Sequence, residues 1–142
     1  MYAKAGEIYV APGDRHLTIT PNRLKRRLVD DPPENYVRPS ADPLLRSAAR
    51  AFGRYCIAAV MTGLGRDGAS GASHVAKAGG IVIAQDPATA VAPSMPRTII
   101  EMGITENVVP LTEIALAISR HIHILSDKLT SILDRNATNS AC

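Results

Sequence analysis

The sequence predicts an α/β fold: a mainly parallel sheet flanked by helices, with an N-terminal β-hairpin. Three observations predict it. Residues 56–61 and 81–84 are apolar runs without alternation, the signature of strands covered on both faces in a parallel sheet. Residues 68–78 between them are rich in small residues and long enough for a helix, which completes a right-handed βαβ unit. Upstream, residues 16–20 alternate polar and apolar beside a Pro12-Gly13-Asp14 turn, as a half-buried hairpin strand does.

The elements follow in order. Ile8-Tyr9-Val10-Ala11 is β-prone and is stopped by Pro12-Gly13-Asp14, so it pairs with residues 16–20 as the hairpin. Residues 21–39, broken by Pro32-Pro33, read as a loop or irregular crossing. Ser40 is a helix cap, with Asp42 and Pro43 suited to a first turn. Leu44, Leu45, Ala48, Ala49 and Phe52 then form one apolar face, and Gly53 ends the helix. After the βαβ unit, closed by Gly79-Gly80, residues 86–94 form a loop and 95–102 a short helix. Asn107-Val108-Val109-Pro110-Leu111 is a third strand-like segment. Thr112 and Glu113 open the final helix, whose apolar face includes Ile114, Ile118, Ile122 and Leu125 and extends towards Leu133.

Composition bounds the function. With 142 residues the chain has room for one compact domain, assigned to residues 1–135, and a disordered tail, 136–142. One Phe, four Tyr and no Trp give no stacking platform for bases, so nucleic acid is not an expected partner. The net charge of +3 is mild, and the cluster Arg23, Lys25, Arg26 and Arg27 reads as a solvated loop. Cys56 behaves as a small buried hydrophobe and Cys142 lies in the polar tail, so neither a disulfide nor a metal site is expected of them. The start of the chain has no signal-peptide core, and no run is long enough to span a bilayer. The expected location is cytoplasmic.

The chemistry concentrates in Thr62-Gly63-Leu64-Gly65-Arg66-Asp67-Gly68, at the carboxyl end of a parallel strand, where α/β sheets bind ligands. Three readings are open. Gly63, Gly65 and Gly68 match the dinucleotide fingerprint, with Asp86 placed 18 positions after Gly68 as the ribose acid. Against this, Asp67 sets a carboxylate beside a pyrophosphate. Alternatively, Asp67 orients a histidine in a catalytic triad. In the third reading Asp67 caps the helix at 68–78.

Several longer motifs decide between them. Ile8-Tyr9-Val10-Ala11-Pro12-Gly13-Asp14-Arg15-His16, Arg38-Pro39-Ser40-Ala41-Asp42 and Met61-Thr62-Gly63-Leu64-Gly65-Arg66-Asp67-Gly68-Ala69 occur in that order. Ile83-Ala84-Gln85-Asp86 and Ser94-Met95-Pro96-Arg97 follow. Over residues 7–118 the chain resembles the chemotaxis protein-glutamate methylesterases. That family hydrolyses methyl esters of receptor glutamates, and some members deamidate glutamines. The resemblance implies an α/β domain with a Ser-His-Asp triad, Asp67 as its acid, no cofactor, and a methylated chemoreceptor's cytoplasmic region as substrate. Leu64 stands where members often carry methionine, and Arg66 replaces a commoner asparagine.

The resemblance also implies an incomplete chain, a truncated methylesterase-type domain. The family's serine lies in a Gly-x-Ser-Thr-Gly-Gly-like loop and its histidine follows, both upstream of the motif at Ile8, and no such segment occurs here. The expectation is that this chain alone does not hydrolyse, and that an upstream fragment or receiver domain is a partner. A non-catalytic interaction remnant of the fold is the alternative. Among local residues, His16 reads as a turn residue at a strand start and His74 as one on the helix surface. His121 and His123 do not share a helix face, so they make no metal site, and Ser70 and Ser73 have no evident base.

Overall fold

The structure is a computed structural model that describes residues 2–20 and 25–139, with side chains as far as Arg135. Strand β1 (His16–Ile19) pairs antiparallel with β2 (Arg26–Val29), His16 opposite Val29 and Ile19 opposite Arg26. Helix α1 (Ala41–Phe52) follows. Then come β3 (Ile57–Val60), α2 (Ala69–Lys77), β4 (Ile81–Gln85), α3 (Ser94–Glu101), β5 (Val108–Val109) and α4 (Ile114–Asn139). Strands β3, β4 and β5 form one parallel sheet in that order.

The expected parallel sheet, its helices and the N-terminal hairpin are present, and the expected strand at 16–20 is β1, but its hairpin partner is a different segment. Residues 8–11 are not a strand: Ile8 is 92% and Val10 86% exposed, so their side chains have no core to face. The partner of β1 comes instead from the segment read as a loop. Arg-Arg-Leu-Val hides its strand character because both faces of β2 stay partly solvated and show no alternation. The basic cluster is correspondingly engaged: the Arg26 guanidinium lies 3.6 Å from the centroid of Tyr9, and Lys25 covers Tyr2. Arg23 lies outside the described residues, as does Cys142.

The core sits between α1, α2 and the sheet, and it is built of small side chains. Ala49, Ala58, Ala69, Ala72, Val75 and Ala84 are all buried. Small residues let α1 and α2 approach closely. At Gly71 a Cβ would fall 2.5 Å from the Leu45 Cβ and 3.1 Å from the Asp42 carbonyl oxygen, so only glycine fits. Cys56 is buried in the same core, and burial pushes its thiol pKa up.

Two outcomes follow from this packing. Gly71→Ala gains helix propensity but drives α1 off α2, and a net loss of about 1–3 kcal/mol is expected in chemical denaturation. In a Cys142→Ser background, Cys56 is expected to react with iodoacetamide at least ~10-fold more slowly than free cysteine at the same pH, and to reach the free rate in denaturant.

Candidate functional site

The turn at residues 63–68 leaves the carboxyl end of β3 and enters α2. Left-handed backbone at Gly65 (φ 82°) and Gly68 (φ 85°) makes the reversal, a conformation glycine adopts without strain. The turn is stitched to the start of α3: Ser94 Oγ donates to the Gly63 carbonyl at 3.0 Å and accepts from the Gly65 N–H at 3.1 Å. Beneath it, buried Gln85 accepts from the Thr62 N–H at 2.9 Å and donates to the Thr89 carbonyl at 3.0 Å. The tip residue Leu64 is 84% exposed.

Asp67 points away from this tip, toward α1. Its Oδ1 accepts from Ser40 Oγ at 2.5 Å, the Gly68 N–H at 2.9 Å, Asn35 Nδ2 at 3.2 Å and the Asp42 N–H at 3.3 Å. Its Oδ2 accepts from the Ala41 N–H at 2.7 Å. The carboxylate is thus held at the N-terminus of α1, where the helix dipole favours negative charge. The capping expectation is therefore corrected in one respect. Asp67 serves the first amides of α1, whereas on its own side it binds only the N–H of Gly68, the residue before α2.

Asp42 returns the arrangement. It is buried in the first turn of α1, and its Oδ1 accepts from the Gly71 N–H of α2 at 2.6 Å. Its Oδ2 shares Asn35 Nδ2 with Asp67, at 2.8 Å. Ser40 caps α1 as expected, its Oγ accepting from the Asp42 N–H at 3.3 Å. Nearby, the Arg46 guanidinium lies 2.5 Å from Glu34. The hydrogen bond that Arg46 donates to Glu34 holds the Arg46 pKa above its usual value against the opposing effect of burial, and the charges of Glu34, Asp42 and Asp67 add to the rise.

His16 stands at a strand start, as expected, but within the strand rather than in the turn. It opens β1 and is fully buried. Its Nδ1 accepts from the Ser40 N–H at 3.1 Å, and its Nε2 lies 3.0 Å from the Pro32 carbonyl, which has only acceptor capacity. These two partners assign the neutral Nε2–H tautomer. His16 therefore positions the backbone of Ser40, and Ser40 holds Asp67. Arg38 fixes the same loop from outside. Its guanidinium donates to Asp14 Oδ1 at 2.6 Å and to the carbonyls of Asp30 and Asp31. Asn35 and Ser40 were missed as partners of Asp67, and His16 as the residue that holds Ser40. The signal available was that His16 and Ser40 each lie in a motif of the same family resemblance.

The remaining candidates separate. Gly63, Gly65 and Gly68 offer no free amides for a pyrophosphate, because their N–H groups bond Ala92 O, Ser94 Oγ and Asp67 Oδ1. Asp86 caps a short turn through the Ala88 N–H. The dinucleotide reading thus lacks its donors. His74 is exposed, as expected, and its Nδ1 lies 2.8 Å from the Ser70 carbonyl rather than the hydroxyl. Among the described residues, no three His, Cys, Asp or Glu side chains are grouped to hold a metal, and no helix is long and apolar enough to cross a membrane.

Comparison with known proteins agrees with the motif order. The family model described as CheB methylesterase matches residues 1–118. The chain is 43% identical over 119 residues to protein-glutamate methylesterase/protein-glutamine glutaminase 1 of Rhodospirillum rubrum, covering 82% of this chain and 31% of that protein. It is 45% identical over 121 residues to the corresponding protein of Nocardioides, covering 84% and 33%. The chain thus spans about a third of the length of these relatives. Its fold matches the crystal structure of the Thermotoga maritima CheB methylesterase catalytic domain with a TM-score of 0.80, at 36% identity, over 87% of this chain and 65% of that one. From the matched motifs and the shared fold together, the chain belongs to the CheB methylesterase family.

Proposed function

We propose that residues 1–135 form one partial methylesterase-type domain in which Asp67 is the triad acid for the hydrolysis of glutamate methyl esters on a chemoreceptor's cytoplasmic region. The observation that carries this reading is the uneven use of the carboxylate. Oδ1 receives four donors and is full, while among the described residues Oδ2 receives one. Each carboxylate oxygen has two lone pairs: the four donors on Oδ1 must share its two, whereas Oδ2, with one donor, has room for an imidazole N–H.

In this proposal the imidazole and the nucleophilic serine come from polypeptide outside these 142 residues. Asp67 holds the imidazole in one tautomer and stabilises its cation as it takes the serine proton. The serine oxygen then attacks the ester carbonyl and methanol leaves. Water next attacks the acyl-enzyme and releases the glutamate carboxylate. The five hydrogen bonds to Asp67 supply rigidity, so the acid need not reorganise as charge develops. Glutamine deamidation follows the same course with ammonia as the leaving group. The upstream polypeptide, and a receiver domain joined to it, are the proposed partners, and the cytoplasm is the proposed location. The alternative, a non-catalytic remnant, retains the same hydrogen bonds for stability alone.

The two readings separate in one experiment. The chain alone is expected to release no methanol from methylated receptor. Adding an upstream methylesterase fragment that carries the serine loop and histidine is expected to restore turnover. Asp67→Asn in that mixture is expected to lower kcat by at least ~10³-fold. Restored turnover that survives Asp67→Asn removes Asp67 from the triad, and no turnover from a demonstrated complex favours the remnant. As a structural check, Asp67→Ala strands the Ala41 N–H and the Ser40 hydroxyl. A loss of about 1–3 kcal/mol in urea denaturation is expected.

A further inference from the structure

Helix α4 continues well past the matched family region. The match ends at residue 118 and the helix runs to Asn139, about six further turns. Its start is seated on the sheet through Ile114, which is 5% exposed. Beyond that anchor most of its large apolar side chains face solvent, with Ile118 and Leu125 half-buried. Ile122 is 54%, Leu129 44%, Ile132 38% and Leu133 60% exposed. A contiguous apolar face of this kind marks an interaction surface.

The spacing of these residues states what covers them. Ala115, Ile122 and Leu129 repeat every seven residues, and so do Ile118, Leu125 and Ile132 three positions later. These are the a and d positions of a heptad, and their stripe selects another helix as its partner. One edge of the stripe, Leu125 and Ile132, together with His121, Lys128 and Arg135 beside it, borders a groove of about 680 Å³ between α4 and the amino end of the sheet, floored by Tyr55 and Ile81. A helix laid on the stripe closes the mouth of that groove.

We propose that the partner is the α4 helix of a second copy, packed parallel and in register. The flanking charges select this arrangement. The g positions are His121, Lys128 and Arg135, and the e positions are Ser119, Ser126 and Leu133. In a parallel pair each g residue faces an e residue five positions on, so His121 meets Ser126 and Lys128 meets Leu133, with no like charges opposed. An antiparallel pair sets the basic g rows against each other. Asp127 and Asp134 fall at the outermost f position, away from the seam.

Sedimentation equilibrium of the 142-residue chain tests the proposal. The expected mass rises from 15.1 kDa toward twice that value between about 1 and 200 μM. Leu129→Lys is expected to restore the monomer. Leu116→Lys, at an exposed position of α4 off the stripe, is expected to leave the dimer intact, with circular dichroism confirming helix content in both. Leu133→Glu supplies a gain that misfolding cannot imitate: its carboxylate faces Lys128 of the second copy and tightens association at low salt, an effect that salt erases. A monomer at the highest concentration overturns the proposal. So does a dimer that survives Leu129→Lys, which points instead to the free edge of β3. Weaker association of Leu133→Glu at low salt overturns the parallel register.

Discussion

Two helices each accept a carboxylate from the start of the other, and the site rests on that exchange. Asp67, one residue before the cap of α2, takes the first amides of α1, and Asp42, in the first turn of α1, takes the Gly71 amide of α2. Each bond satisfies donors that a helix start leaves without an intrahelical partner, or adds to one. Two carboxylates lie close together, yet each is offset by amide dipoles and by the shared Asn35 amide. The exchange also explains why the helices must nearly touch, and hence why the contact is made by glycine and alanine. A separation of even one methyl group lengthens both bonds at once.

This constraint accounts for what the sequence disclosed. The parallel strands were legible because burial on both faces leaves an unbroken apolar run, and α1 because Ser40 and Gly53 bracket an apolar face. The strand β2 was not legible, since Arg26 and Arg27 carry no period of two and pairing with β1 is a tertiary fact. The β-prone run at 8–11 misled for the complementary reason: propensity without a core to face does not make a strand. At the site, Asp67 and its glycines could be read from local spacing. The partners of Asp67 could not, because Ser40 and Asn35 lie 27 and 32 residues away. The role of His16 needed both the hairpin register and the loop over it.

The support around Asp67 extends inward in layers. Pro32 and Ser40 fix the ring of His16 from its two nitrogens, Ser40 fixes the carboxylate, and Arg38 ties the connecting loop to Asp14. Each layer is drawn from a different element, so the position of one oxygen depends on β1, the 30–40 loop, α1 and α2 together. A carboxylate held in this way keeps one orientation without any ligand present.

The turn that bears Asp67 has two unlike sides. Its inner side is committed to hydrogen bonds, while Leu64 at the apex projects into solvent with 84% of its surface accessible. A side chain in that position contributes little to folding free energy whichever residue fills it. The apex can therefore vary in size and polarity without disturbing the acid three residues on. In a protein built this way, what the rim of the site touches and how its chemistry is held are separately adjustable.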